Sequence, residues 1–176
     1  MVTVSAAGVI TGKAPGTTNI VAKLGKLTSV SVPVQVEGEV GTWKKSGGKW
    51  WFQLDDGSYP YNQWAQIDGD WYYFDRSGYM QTGWLKLGKS WYYLKSSGAM
   101  ATGWQKVGDA WYYLKSSGAM AAGWQKVDGQ WYYLAPSGAM AKNQWVGNYY
   151  LTGSGAMATN TWIGKYHVNA AGVWDQ

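Results

Sequence analysis

The sequence predicts an all-β chain: a solenoid of stacked β-hairpin repeats, preceded by a separate β segment. Three observations carry this expectation. Trp64, Trp84, Trp104 and Trp124 lie 20 residues apart, and self-similarity at a fixed step of this size marks a repeat architecture. Within each step, two short runs rich in Trp, Tyr, Leu and Val flank a two-residue turn containing Gly, the pattern of a tight β-hairpin. Residues 1–37 contain no aromatic side chain and carry alternating runs such as Val30-Ser-Val-Pro-Val-Gln-Val36, which read as strands between Gly and Pro turns.

The first segment covers residues 1–37, and Glu37-Gly-Glu39 marks its end. The repeats follow over 41–176, in units near 43–63, 64–83, 84–103, 104–123, 124–144, 145–161 and 162–176. Trp71, Trp91, Trp111 and Trp131 keep the same 20-residue step, as do Gly78, Gly98, Gly118 and Gly138, and Met80, Met100, Met120 and Met140. Trp43 precedes Trp64 by 21 residues, Trp145 follows Trp124 by 21, and Trp162 comes 17 later. The turn pairs are Gly47-Gly48, Asp68-Gly69, Gly88-Lys89, Gly108-Asp109 and Asp128-Gly129.

Such a turn fixes the register. Leu87 faces Ser90, Lys86 faces Trp91, Leu85 faces Tyr92 and Trp84 faces Tyr93. Side chains alternate along a strand, so one face shows Trp84, Lys86, Trp91 and Tyr93, and the other Leu85, Leu87, Tyr92 and Leu94. Trp84 and Trp91 are diagonal neighbours, within reach for large rings. A lone hairpin is marginal in water. Successive hairpins must therefore stack, with the Ser-Gly-Ala-Met segment as connector.

Stacking sets Trp84 and Trp91 against the next hairpin, where Tyr112 takes the place of Tyr92. Three ring faces then converge on one space. Each ring has a negative face, and such walls suit a quaternary ammonium group, which has no N–H and needs no acceptor. The recurring Met residues offer a soft side wall, although plain packing is the simpler role for them. Lys86, Lys106 and Lys126 either cover aromatic faces with their stems or attract polymer phosphates. One ring contributes about 0.5–2 kcal/mol. Three rings, less ordering costs, come to roughly −4 kcal/mol, or millimolar affinity, which becomes useful when repeated sites meet a ligand repeated along a polymer. On the residues alone a second reading stands level: Trp and Tyr at a fixed step form stacking core, as Leu does in other repeats.

Composition bounds the alternatives. Trp and Tyr number 14 each against two Phe, too aromatic for a disordered chain and unlike an ordinary aliphatic core. There is no Cys and a single His, so no disulfide framework, thiolate chemistry or His-based metal cluster is expected, and no cofactor. No apolar run reaches 18 residues, so no transmembrane segment is expected. No signal peptide follows Met1, so export would use a signal upstream. Asp55-Asp56 are adjacent in a turn and read as solvated, and His167 has no evident partner, so the chain is not expected to be an enzyme. Net charge is +5, but Arg76 is the only Arg, which weighs against nucleic acid as the partner. A glucan-binding repeat is the main alternative; it calls for polar groups around the rings, whereas the acids recur at turn tips (Asp68, Asp109, Asp128).

The pattern Gly-Trp, then Trp-Tyr-Tyr, then Gly-x-Met, matched over about residues 41–141, resembles the choline-binding repeats of pneumococcal surface proteins and of their phages' lytic enzymes; residues 142–176 follow it loosely. The resemblance implies a left-handed β-solenoid with choline held between neighbours by two Trp of one repeat and a Tyr of the next, with a Met nearby. Carried over residue by residue, it implies sites at Trp43, Trp50 and Tyr72; Trp64, Trp71 and Tyr92; Trp84, Trp91 and Tyr112; Trp104, Trp111 and Tyr132; and Trp124, Trp131 and Tyr149, with Met100 and Met120 beside them. The first unit departs from the pattern, with Trp51-Phe52 for Tyr-Tyr and Tyr59 where later units have Met. At the end Asn148 replaces the second Trp, and the Trp162 unit is shorter still. These units lack a complete cage and are expected to cap the solenoid or to form a homodimer. The implied partner is choline or phosphocholine of teichoic and lipoteichoic acids, and the implied location is the bacterial cell surface, after secretion. Any enzyme activity would belong to a larger parent protein, such as a cell-wall hydrolase that this part targets. Residues 1–37, through Gly8-Val-Ile-Thr-Gly12 and Pro15-Gly-Thr-Thr-Asn-Ile20, resemble the later half of a bacterial immunoglobulin-like domain, implying a spacer.

Overall fold

The structure is a computed structural model that describes residues 38–175 and, before them, the backbone of six short strands. Every described element is a β-strand. The six early strands are β1 (Val2–Val4), β2 (Ile10–Gly12), β3 (Gly16–Ile20), β4 (Lys23–Leu24), β5 (Leu27–Thr28) and β6 (Val32–Val36). They pair antiparallel as β1 with β2, β3 with β6 and β4 with β5. The immunoglobulin-like resemblance of residues 1–37 also turns on Gly8, Val9 and Pro15, which lie outside the described residues.

From residue 41 the chain is a run of two-stranded antiparallel hairpins. They are β7–β8 (Gly41–Ser46, Lys49–Leu54), β9–β10 (Gln63–Ile67, Asp70–Phe74), β11–β12 (Gly83–Leu87, Ser90–Leu94), β13–β14 (Gly103–Val107, Ala110–Leu114), β15–β16 (Gly123–Val127, Gln130–Leu134), β17–β18 (Gln144–Val146, Tyr149–Leu151) and β19–β20 (Thr161–Ile163, Tyr166–Val168). The pairing has the register that the turns predict: Val107 faces Ala110, Lys106 faces Trp111 and Trp104 faces Tyr113. The turns come in two kinds. Asp68-Gly69 and Asp128-Gly129 both have positive φ at the two central positions (51° and 89°, 49° and 83°), as a type I′ turn requires. Gly88-Lys89 and Gly108-Asp109 need it only at Gly (57° and 60°), which suits type II′. Both kinds match the strand twist, which explains why Gly moves between the two positions without disturbing register.

The hairpins fall into two compact units, Met1–Gly83 with Leu94–Met100, and Trp84–Tyr93 with Ala101–Gln176. In unit 1, Phe52, Ala65, Ile67 and Phe74 form a buried cluster, with Trp43, Leu54, Tyr72 and Met80 packed against it. In unit 2, Leu114, Leu134, Leu151 and Val168 each end the second strand of a hairpin and are fully buried. Burying each Leu side chain stabilises by about 1.5–3 kcal/mol. No helix among the described residues is long and apolar enough to cross a membrane.

Connectors do more than turn the chain. After β14, the Gly118 N–H donates to the Lys115 carbonyl at 2.8 Å, and the Lys115 N–H to that of Ala119 at 2.9 Å. Met120 then bridges Leu114 as a short third strand. Its N–H donates at 2.7 Å to the Trp91 carbonyl in the preceding hairpin, and the Ala121 N–H donates at 2.8 Å to the Tyr113 carbonyl. This connector thus ties its own hairpin to the one before, satisfying edge groups that a free hairpin would leave to water.

Candidate aromatic cages

The hairpin register fixes which rings meet. In unit 2, Trp84 is the hub of one cluster: Trp91 stands edge-on at 6.3 Å and 88°, and Tyr112 of the next hairpin at 4.7 Å and 67°. Tyr93, the cross-strand partner, supports Trp84 from its own hairpin at 5.1 Å. The arrangement recurs at Trp104, with Trp111 at 6.5 Å and Tyr132 at 4.8 Å. It recurs again at Trp124, with Trp131 at 6.5 Å and Tyr149 at 5.1 Å. The rings meet edge to face, the arrangement that aromatic pairs prefer, with Trp–Trp angles of 83–88° and Trp–Tyr angles of 67–70°.

Two of these clusters open onto cavities. That of about 370 Å³ is lined by Trp84, Trp91, Tyr112 and Met120, with Pro136 and Ser137. That of about 270 Å³ is lined by Trp124, Trp131, Tyr149 and Met157, with Ala171. In unit 1, Trp43, Trp50, Tyr72 and Met80, with Ser96 and Ser97, line a third of about 300 Å³. There Trp43 meets Tyr72 at 5.0 Å and 66°. Burial raises the pKa of the Tyr72 phenol above its ordinary 10.0, with Asp70 and Asp68 adding to the effect, which keeps it neutral. Of the remaining expected residues, Trp64 lies in unit 1, edge-on to Tyr73 at 5.3 Å; Trp71 in the same unit is exposed; Tyr92 lies half-buried in unit 2. Met100 donates its N–H to the Trp71 carbonyl at 2.7 Å.

Exposure separates these rings from core. The aliphatic residues that end the strands are fully buried, whereas Trp91, Trp111 and Trp131 each keep 39% of their surface. Packing has other residues to rely on, and the second indole of each cluster stays accessible. Lysines stand beside several of them: Lys86 Nζ is 5.6 Å from the Trp91 ring centre, Lys45 5.3 Å from Trp50 and Lys126 6.0 Å from Trp131.

Several features were not read from the sequence. Met157 lines a cavity, as do Met80 and Met120 of the recurring Met set, and the backbone of each Met holds a Trp of these clusters by its carbonyl: Met80 that of Trp50, Met140 that of Trp111 and Met157 that of Trp131. The recurrence of a Met 26 to 30 residues after the second Trp of the preceding hairpin was the available signal. His167 has a partner after all, since its Nδ1 lies 2.7 Å from Asp175 Oδ1; the pair joins the last hairpin to the residues after it. Asp56 accepts from the Ser58 hydroxyl at 2.6 Å and its N–H at 2.9 Å, which holds its carboxyl below the usual range and occupies it in its own turn. At the end of the chain Trp145, Tyr166 and Trp174 line a further cavity, where sequence reasoning expected an incomplete cage.

Comparison with known proteins agrees with this geometry. Sequence models of the choline-binding repeat match residues 61–103, 101–145 and 139–174. The lysozyme of Streptococcus phage Cp-1 is 52% identical over 29 residues, 16% of this chain and 9% of that protein. Choline binding protein F from Streptococcus pneumoniae superposes with a TM-score of 0.71 and 40% identity, over 78% of this chain and 48% of that one. The multimodular pneumococcal cell wall endolysin from phage Cp-1, solved in complex with choline, gives 0.53 and 48%, over 68% of this chain and 37% of that one. The chain therefore spans less than half the length of each of these relatives. With the repeat models running from residue 61 to 174 over a fold shared with choline-binding proteins, the chain belongs to the choline-binding repeat family.

Proposed function

We propose that the chain is a non-catalytic anchoring module that holds phosphocholine groups of teichoic and lipoteichoic acids at a bacterial cell surface. The carrying observation is the repeated trio of ring faces, two Trp from one hairpin and a Tyr from the next, with the second indole still accessible. In this reading Trp84, Trp91, Tyr112 and Met120 enclose one trimethylammonium head, and the cages at Trp43, Trp104 and Trp124 do the same. The head has no N–H, so it needs no hydrogen-bond acceptor in the site.

Lys86, Lys45 and Lys126 stand beside cage rings and supply the attraction to the phosphate attached to each choline. Each site binds weakly, at about the millimolar level. Several sites on one chain meeting a polymer with many cholines give firm attachment by raised effective concentration. Any catalytic activity belongs to other parts of a longer protein, and residues 1–37 act as a spacer.

Retention on a choline-substituted resin, with elution by free choline, tests the reading. Elution at millimolar choline and indifference to dextran are expected. Failure to bind the resin, or elution by dextran in place of choline, would assign the rings to a different ligand.

A further inference from the structure

The unit that starts at Trp145 lacks the second Trp, because Asn148 stands in its place. Three rings gather there all the same. Trp145 meets Tyr166 of the next hairpin at 5.8 Å and 84°, and Tyr166 meets Trp174 at 6.2 Å and 82°. With Gly147 and Asn148 they line a cavity of about 320 Å³, between the 270 and 370 Å³ of the two regular cages in the same unit.

The backbone shows how the third ring arrives. The Trp174 N–H donates to the Asn148 carbonyl at 2.8 Å, just as the Met120 N–H donates to the Trp91 carbonyl at 2.7 Å. Trp174 bridges Val168 as Met120 bridges Leu114. Trp174 therefore occupies the connector position that Met fills elsewhere. One indole is lost from the strand and one is gained from the connector, in the same cavity. Trp174 keeps 47% of its surface and Tyr166 39%, so the walls are as accessible as Trp91. Lys165, in the turn next to Tyr166, stands 5.3 Å from the Tyr166 ring centre.

We propose that Trp145, Tyr166 and Trp174 form a further site for a quaternary ammonium group, assembled by this exchange of positions. The proposal rests on reading the regular cages as choline sites. Three electron-rich rings make the same kind of enclosure whether the second indole comes from strand or connector. Its affinity is expected within about tenfold of the regular cages, since the number of rings is unchanged.

Indole N–H resonances of the ¹⁵N-labelled full chain provide the test. Trp174→Phe and Trp91→Phe assign two resonances, and the wild-type chain is titrated with choline chloride against a sodium chloride control. Saturable shifts of both resonances, with half-saturation within about tenfold of each other, are expected. A stationary Trp174 resonance beside a saturating Trp91 resonance would overturn this site and leave the regular cages standing. If neither resonance moves, the choline reading of the regular cages falls, and this site falls with it.

Discussion

Trp91→Ala removes one wall of the cage around Trp84 and leaves the fold's main supports in place. The indole is 39% exposed, whereas Leu114 in the same unit is fully buried. The hydrogen bond from Met120 reaches the Trp91 backbone carbonyl, which alanine retains. The ring's contribution to a bound quaternary ammonium is about 0.5–2 kcal/mol, so affinity at this cage should fall by about 2- to 30-fold. Equilibrium dialysis with labelled choline near half-saturation reads the loss as a fraction of one site per chain. Retention on choline resin magnifies it, because loss of one site lowers the avidity of the whole chain. A urea unfolding curve with an unchanged slope confirms that the variant is folded. If the folded variant binds as much choline as the wild type and elutes at the same choline concentration, Trp91 is a packing residue and the cage argument is wrong.

Other outcomes follow from the same geometry. Gly138→Ala and Gly129→Ala both force a side chain onto positive φ (84° and 83°), costing about 1–2 kcal/mol each in urea unfolding. Only at Gly138 does the new Cβ collide with the Met120 side chain, while nothing lies within 4 Å of it at Gly129; dialysis should therefore show lost choline binding for Gly138→Ala alone. The raised pKa of Tyr72, caused first by burial, favours the protonated folded state. That contribution is complete below the ordinary value near 10.0 and is lost as pH rises through the higher folded value. Tyr72→Phe should flatten the fall in urea midpoint between pH 9 and 11, and an identical fall in both chains would remove Tyr72 as its cause. Replacing Lys86 and Lys126 with Gln should weaken binding to a phosphocholine polymer and its salt dependence while leaving free choline binding within about twofold. Equal losses for both ligands would place the ammonium groups of these lysines in the cages themselves.

Much of the fold was legible because the repeat is strict. The step from Trp84 to Trp104 to Trp124, the Gly turns and the alternation along each strand together determine register, and Lys106 facing Trp111 is the pairing they predict. The Trp84–Trp91–Tyr112 cluster followed from that register plus stacking. Whether the rings were core or wall was not legible, since periodicity describes both. The structure adds the exposure that periodicity lacks: Leu114 and Leu134 take the buried places, whereas Trp91 and Trp111 keep open surface. The connector's reach was hidden for another reason. The Met120 bond to Trp91 joins backbone atoms, and backbone groups leave no mark on residue type. Trp174 escaped notice because it sits in the position of Met. Its place two residues after Gly172, matching Gly155 and Met157, was the clue.

Choline binding in this reading depends on the space among two indoles and a phenol taking up a methylated ammonium head. A crystal structure of the chain grown with saturating choline tests it most directly. Trimethylammonium density is expected against Trp84, Trp91 and Tyr112, with the methyl groups in contact with the ring faces. Cages that stay empty at saturating choline, or choline found only away from the rings, would contradict it.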